Sequence, residues 1–237
     1  MIRSSIVIPT LNERENILIL LDRIAASGLR DYEVIVADEN SPDGTAAAVE
    51  AYAGDGHPEV RVVRNDGIPG LSPSIVKGFH AARGRFLCCM DGDLQHDVAD
   101  LAGVLNTLEG CDFVIGSRYA PGGGFRQRWN PCRVVISRTA TALARMLLGV
   151  KVLDPMSGFF AIRREVFEKV APKLSPRGFK IMLELLYLIR HEPGENYRVR
   201  EYGITFGIRM HGRSKLSLRV IWQYLRMLYE LRRSRQA

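Results

Sequence analysis

The chain lacks any run of about 18 uncharged apolar residues. Arg133, Arg138 and Arg145 interrupt its most apolar helical stretch, so no membrane span is expected. Cysteine is scarce: Cys88, Cys89, Cys111 and Cys132 show no C-x-x-C spacing, and two of them sit inside an apolar run. That excludes a zinc ribbon and a disulfide framework and fits a reducing compartment. No G-x-G-x-x-G follows the first apolar segment, which disfavours a dinucleotide-binding domain. Met1-Ile2-Arg3 runs almost directly into that segment without the regions of a secretory leader, so folding is expected to start at the first residues. No recognised nucleic-acid module is evident, and none is expected to act here.

What is present is a chain of 237 residues, long enough to bury a substantial core, with a formal net charge of +7 that is unevenly spread. Residues 1–120 carry 10 Lys+Arg against 18 Asp+Glu, and residues 121–237 carry 23 against 8. An acidic first half suits a metal ion; a basic second half suits an anionic partner such as lipid phosphate, a bilayer surface or nucleic acid.

Short apolar runs alternate with amphipathic segments through the first half. Ser5 to Pro9, Tyr32 to Ala37, Val60 to Val63, Phe86 to Met90 and Asp112 onward read as strands. Between them, Ile17, Leu20, Leu21 and Ile24 mark one face of a helix with Asn12 as its N-cap. Further helices are expected from Thr45, over Ser74 to Ala82 with Lys77 on it, and over Val98 to Leu108. The alternation predicts an α/β fold with a mainly parallel, doubly wound sheet and helices on both faces.

The fourth strand is the most informative. Phe86-Leu87-Cys88-Cys89-Met90 ends on Asp91-Gly92-Asp93-Leu94-Gln95-His96, which places two carboxylates at the carboxyl end of a buried strand, where open α/β sheets bind ligands. Hard oxygen ligands of this kind suit Mg²⁺ or Mn²⁺ shared with substrate phosphates, with the Gln95 amide as a third ligand and Gly92 allowing the turn. The same residues also suit an ordinary strand-to-loop turn. His96 reads either as a donor contact or as a surface residue, and His57, His80, His191 and His211 show no ligand spacing.

The second half opens on Ala120-Pro121-Gly122-Gly123-Gly124-Phe125-Arg126, which reads either as a mobile cationic loop closing over an anion or as a plain linker. A long helix from Arg133 to Leu148 presents Arg133, Ser137 and Arg138 toward that loop. Asp154 to Phe159 reads as a turn, Arg164 to Val170 and Phe179 to His191 as helices, and Tyr197 to Phe206 as a strand. The last segment spaces Leu218, Ile221, Trp222, Leu225, Leu228 and Tyr229 along a helix studded with arginines. It is either a helix lying on a bilayer surface or one packed on the domain with a solvated charged face.

Six ordered stretches resemble the dolichol-phosphate mannose synthases, inverting family 2 glycosyltransferases. They are Ile6 to Glu13, Asn40 to Thr45, Met90 to His96, Gly116 to Tyr119, Asp154 to Phe159, and Ile204 through Lys215. The resemblance covers roughly residues 4 to 216. It implies a GT-A fold over 1–216, with a donor and metal half (1–120), an acceptor half (121–216) and a basic amphipathic helix over 217–237. It further implies a nucleotide-sugar donor, GDP-mannose first, and a polyprenyl monophosphate acceptor on the cytoplasmic face of a membrane. By position, Pro9, Leu11, Glu13, Val36, Asp38, Lys77, Asp91, Gly92 and Asp93 would meet the donor. Asp91, Asp93 and Gln95 would hold Mg²⁺ or Mn²⁺. Arg118, Arg133, Ser137 and Arg209 would meet the lipid phosphate or the diphosphate, with Lys215 as a further phosphate contact.

The chain departs from the family pattern at Asp38-Glu39, at Asp91-Gly92-Asp93 and at Gly70-Leu71-Ser72-Pro73-Ser74, and it shows none of the hydrophobic spans that many relatives carry after the catalytic domain. The first three keep the charge, so the alternatives left open are a UDP-sugar donor on the same lipid class and a non-catalytic nucleotide-sugar or anion-binding subunit. The missing spans place membrane attachment on the last helix.

Overall fold

In a computed structural model, residues 2–127, 131–175, 180–208 and 218–234 are described. The first half alternates as expected: β1 (Ser4–Thr10), α1 (Arg14–Ala25), β2 (Tyr32–Asp38), α2 (Thr45–Gly54), β3 (Val60–Arg64), α3 (Leu71–Ala81), β4 (Phe86–Cys89), α4 (Ala99–Glu109) and β5 (Phe113–Ser117). The second half adds β6 (Gly124–Phe125), α5 (Pro131–Leu148), β7 (Phe160–Arg163), α6 (Arg164–Val170), α7 (Ile181–Arg190), β8 (Val199–Gly203), β9 (Thr205–Phe206) and α8 (Leu218–Ser234).

Seven strands form one sheet in the order β3-β2-β1-β4-β7-β5-β8, parallel except for β7, which runs antiparallel to both neighbours. β6 and β9 make a separate two-stranded parallel pair. Chain order reverses between β1 and β4, and the crevice outside the carboxyl ends of such strands is where this class of sheet takes its ligand.

Strand residues alternate between two cores, as the period-two geometry of a strand requires. Val7, Ile35, Leu87, Phe113 and Phe160 join the core covered by α3 and α5 to α8, whereas Ile6, Ile8, Val34, Cys88 and Val114 join the core covered by α1, α2 and α4. Burial on both faces is why the strands read as unbroken apolar runs. The predicted stripe of α1, Ile17, Leu20, Leu21 and Ile24, is buried in the second core. Cys88, Cys89 and Cys111 are buried free thiols, and desolvation pushes their pKa values up.

Four expectations need correction. β7 lies between the expected turn over Asp154 to Phe159 and the expected helix from Arg164, where no element is expected, because a four-residue strand leaves too little pattern to recognise. The single strand expected over 197–206 is divided at Ile204 into β8 and β9, one in each sheet. Asn12 is not the N-cap of α1: Glu13 holds that position and Asn12 adopts φ 58° just before it. The Gly-rich loop is packed rather than loose through Arg126, because β6 pairs with β9 and Arg126 ion-pairs with Asp97.

α8 packs one stripe on the domain and leaves a second outward. Tyr224, Leu228 and Leu231 are buried in the first core, and the Tyr224 hydroxyl donates to Ala140 O on α5 at 2.6 Å. Trp222, Leu225 and Tyr229 lie on the opposite side and are exposed. Arg226 stacks over the Trp222 ring at 5.5 Å and pairs with Glu230. The helix is therefore docked on the domain and still offers an aromatic, basic face.

Candidate active site

Three loops leave the carboxyl ends of neighbouring strands through left-handed residues: Asn12 after β1, Asn40 after β2 and Leu94 after β4. Asparagine tolerates this conformation, but a bulky leucine there is costly, and Leu94 persists because its side chain is buried in the second core. The turn expected at Gly92 is thus made at Leu94, while a Cβ on Gly92 would press against Ile8 and Thr10.

The β1 and β2 loops brace each other. Asp38 is fully buried and accepts hydrogen bonds from Thr10 Oγ1 (2.9 Å), Ser41 N (2.8 Å) and Ser41 Oγ (2.6 Å). Asp43 accepts from Arg14 N, Thr45 N and Thr45 Oγ1, so it caps the first turns of both α1 and α2. Burial opposes ionisation of Asp43, and these donors outweigh it, holding the carboxyl below its ordinary range. Glu13 is buried and accepts from Asn16 Nδ2 at 2.6 Å. Pro9 and Val36 are buried in their strands, Leu11 is half-buried, and Lys77 is engaged with Asp66 and with Arg64 O.

Beyond β4, Asp91 is partly exposed at the crevice and Asp93 is nearly buried. Asp93 Oδ1 accepts the Gln95 N–H at 3.1 Å. Gln95 in turn donates from Nε2 to Gly207 O at 3.2 Å and receives the Gly207 N–H on its own carbonyl at 2.6 Å, tying this loop to the exit of β9. His96 is not a surface residue. It is 2 % exposed, meets Phe159 and Phe206 edge to face, and lies with Nε2 3.2 Å from Asp91 Oδ2. A carboxylate only accepts, so Nε2 carries the proton in this contact.

The second component is the turn from Asp154 to Gly158. Because β7 runs antiparallel, its first residue Phe160 sits beside Cys89 and Ile115, so the turn before it falls over the ends of β4 and β5. Glu201 on β8 accepts from Leu153 N and Asp154 N, and Ser157 Oγ donates to Gly116 O at 2.6 Å. Asp154 is 0 % exposed and grips Arg118 through Nε and Nη2, both at 2.7 Å, and through the Arg118 N–H at 3.1 Å. Tyr119, Phe125 and Phe206 surround the guanidinium with ring centroids 5.2 to 5.8 Å away. Burial works against the charge of Arg118, but Asp154 prevails and its pKa is raised. At the other end of the turn, Gly158 packs against the Asp91 carboxylate so closely that a Cβ would overlap it.

Of the residues expected to meet phosphate, Arg118 lies in this cluster and Ser137 is half-buried on α5. The Arg133 side chain, Arg209 and Lys215 lie outside the described residues. Reading the sequence missed the individual roles of Asp154, Gly158 and His96. All three stand inside recognisable stretches, but nothing in a linear pattern says that residue 154 would hold residue 118.

Among the described residues no group of three His, Cys, Asp or Glu side chains is placed to chelate a metal. A divalent ion would therefore rest on two carboxylates, with an amide, water and substrate oxygens completing it. That hard-oxygen set fits Mg²⁺ or Mn²⁺, which keep several water ligands and are commonly shared with phosphates. The close seat that Gly158 makes for Asp91 fits a carboxylate whose position matters.

Comparison with known proteins agrees with this layout. The sequence model for "Glycosyl transferase family 2" matches residues 5–171. A dolichol-phosphate mannosyltransferase of Saccharomyces cerevisiae is 39% identical over 235 residues, covering 97% of this chain and 87% of that protein. One from Pyrococcus furiosus is 40% identical over 232 residues, covering 96% of this chain and 63% of that longer protein. A polyprenol monophosphomannose synthase of Mycolicibacterium smegmatis is 34% identical over 220 residues, covering 91% and 81%. Among solved structures, glucosyl-3-phosphoglycerate synthase from Mycobacterium tuberculosis, in complex with Mn²⁺, UDP and glucosyl-3-phosphoglycerate, superposes with TM-score 0.70 at 24% identity, over 98% of this chain and 79% of that one. The fold is the GT-A fold.

The Gly158 seat yields a direct test. Gly158→Ala is expected to weaken Mn²⁺ binding about 10-fold or more, the usual cost of disturbing a metal ligand's support. Stability should stay within about 1 kcal/mol, since only a side-chain end has to move. Calorimetric titration with Mn²⁺, alongside a urea melt, checks both; unchanged Mn²⁺ affinity would refute the seat.

Proposed function

The chain belongs to glycosyl transferase family 2, and from that premise we propose that it transfers mannose from GDP-mannose to a polyprenyl monophosphate with inversion at the anomeric carbon. The observation that carries this reading is the Asp154–Gly158 turn, which joins a buried guanidinium to a carboxylate at the mouth of the sheet. A phosphate nucleophile meeting a nucleoside diphosphate sugar needs both kinds of charge in one place.

Asp91, Asp93 and Gln95 would hold Mg²⁺ or Mn²⁺, whose contribution is to neutralise charge growing on the leaving diphosphate. A phosphate monoester has its second pKa near about 6, so the acceptor is already largely ionised at neutral pH and no strong general base is required. What it needs is orientation by cations that do not give up a proton, and a guanidinium supplies that as a planar fork. Arg118 fills this role through guanidinium N–H groups other than those gripping Asp154, with Arg133, Ser137, Arg209 and Lys215 as further contacts in the acceptor half. In the donor half, the braced loops after β1 and β2 form the nucleotide seat. Attack from the side opposite the leaving group gives a β-linked product from an α-linked donor.

No helix among the described residues is long and apolar enough to cross a membrane. The outward stripe of α8, Trp222, Leu225 and Tyr229 with Arg226, Arg232 and Arg233, supports peripheral attachment at a lipid surface, and the cytoplasmic face is the proposed side.

Two experiments follow. Incubated with radiolabelled GDP-mannose, a short polyprenyl phosphate and Mn²⁺, the protein should form lipid-linked mannose that EDTA abolishes, and Asp91→Ala should lower the rate at least about 100-fold. Product from UDP-glucose but not from GDP-mannose would reassign the donor, and no product from either would reject transfer. Separately, wild-type protein should float with vesicles containing anionic lipid, and less so as salt rises. Trp222→Ser/Tyr229→Ser should stay in solution with its melting temperature unchanged; equal flotation of both proteins would remove α8 as the contact.

A further inference from the structure

Lys180 stands immediately before α7, and its partly buried side chain reaches across to the Asp154–Gly158 turn, where Nζ lies 3.4 Å from Met156 O. That is a long contact to a neutral oxygen. Among the described residues, no carboxylate lies within ion-pair distance of this ammonium, and the acid of the same turn, Asp154, spends both of its oxygens on Arg118. Two cations therefore meet this turn, and the carboxylate between them is engaged by Arg118, with Asp91 at the far end of the turn.

Burial and the neighbouring Arg118 charge pull the Lys180 pKa down to about 8, while Asp91 and Asp154 act in the opposite sense. A desolvated cation without a close counter-charge is unfavourable, and an arriving anion removes that penalty. The geometry limits where the anion can sit. Met156 lies midway along a turn that holds Arg118 at one end and touches Asp91 at the other, so a phosphate beside Lys180 also lies near Arg118 and Asp91.

We propose that Lys180 is a substrate-binding residue that contacts a phosphate oxygen, acting with Arg118, which meets the same Asp154–Gly158 turn. The assignment rests on the transfer reading for its two sources of phosphate, the donor's diphosphate and the acceptor's monophosphate. The chemistry is common to both, and the experiment separates them.

Lys180→Met and Lys180→Arg would be compared with wild type in two arms: calorimetric affinity for GDP with Mn²⁺, and KM for polyprenyl phosphate. Lys180→Met should lose at least about 10-fold in one arm, as expected for a charge-assisted hydrogen bond, and Lys180→Arg should recover most of it. Loss in the nucleotide arm assigns the diphosphate; loss confined to the lipid arm assigns the acceptor. Changes below threefold in both arms overturn the proposal, as does a loss that Lys180→Arg does not repair, since that marks a purely structural lysine. Should Lys180→Met fail to fold, reductive methylation of wild-type Lys180 is followed by peptide mass spectrometry with and without GDP and Mn²⁺ or the lipid phosphate. Protection by one of them supports the contact, and equal labelling throughout rejects it. The GDP arm needs no turnover, so a failure of the transfer reading would leave it intact.

Discussion

The Arg118–Asp154 ion pair is the constraint on which the rest of the site depends. Both partners are almost wholly withdrawn from water, at 8% and 0% exposure, and each alone would be a strongly unfavourable buried charge. Together they form a two-pronged contact reinforced by the Arg118 backbone N–H, with aromatic rings completing the enclosure. Such a pair is poor evidence of added stability, because apolar replacements often do as well. Its consequence is positional: it fixes the turn before β7, and the turn fixes what lies along it, from Lys180 to the seat of Asp91.

The same turn explains why one irregular strand matters. A parallel β7 would present its other end to β4 and carry residues 154–158 to the far edge of the sheet. Run antiparallel, it brings them over the ends of β4 and β5, where Asp91 and Arg118 emerge. From there an aromatic series of Tyr119, Phe125, Phe206, His96 and Phe159 links the β6–β9 pair back to the carboxylates. Loops that pattern alone suggests are independent are thus held as one body.

Much of the fold was legible because it rests on local regularities. The strands of the first half announce themselves as apolar runs, α1 by its 3.6-residue spacing, and the carboxylates by their place at a strand's end. What stayed hidden depends on residues far apart in sequence. Asp154 meets Arg118 across 36 positions, Gly207 meets Gln95 across 112, and β7 is too short to carry a period. The left-handed Leu94 breaks a local rule, and only its burial in the core makes that tolerable. α8 illustrates the remaining ambiguity: one apolar pattern served two stripes, and packing alone assigns Leu228 inward and Tyr229 outward.

The most direct measurement is a double-mutant cycle on the pair that organises the turn, using Arg118→Met, Asp154→Asn and the two together, read in both urea denaturation and mannosyl transfer. Each single change should cost about 3–5 kcal/mol of stability by stranding a buried charge, and the double variant should regain most of it. Transfer should not return with stability, because the proposed mechanism uses the guanidinium itself at the acceptor phosphate. A double variant that recovers both stability and turnover would contradict the account and reduce the pair to a structural prop.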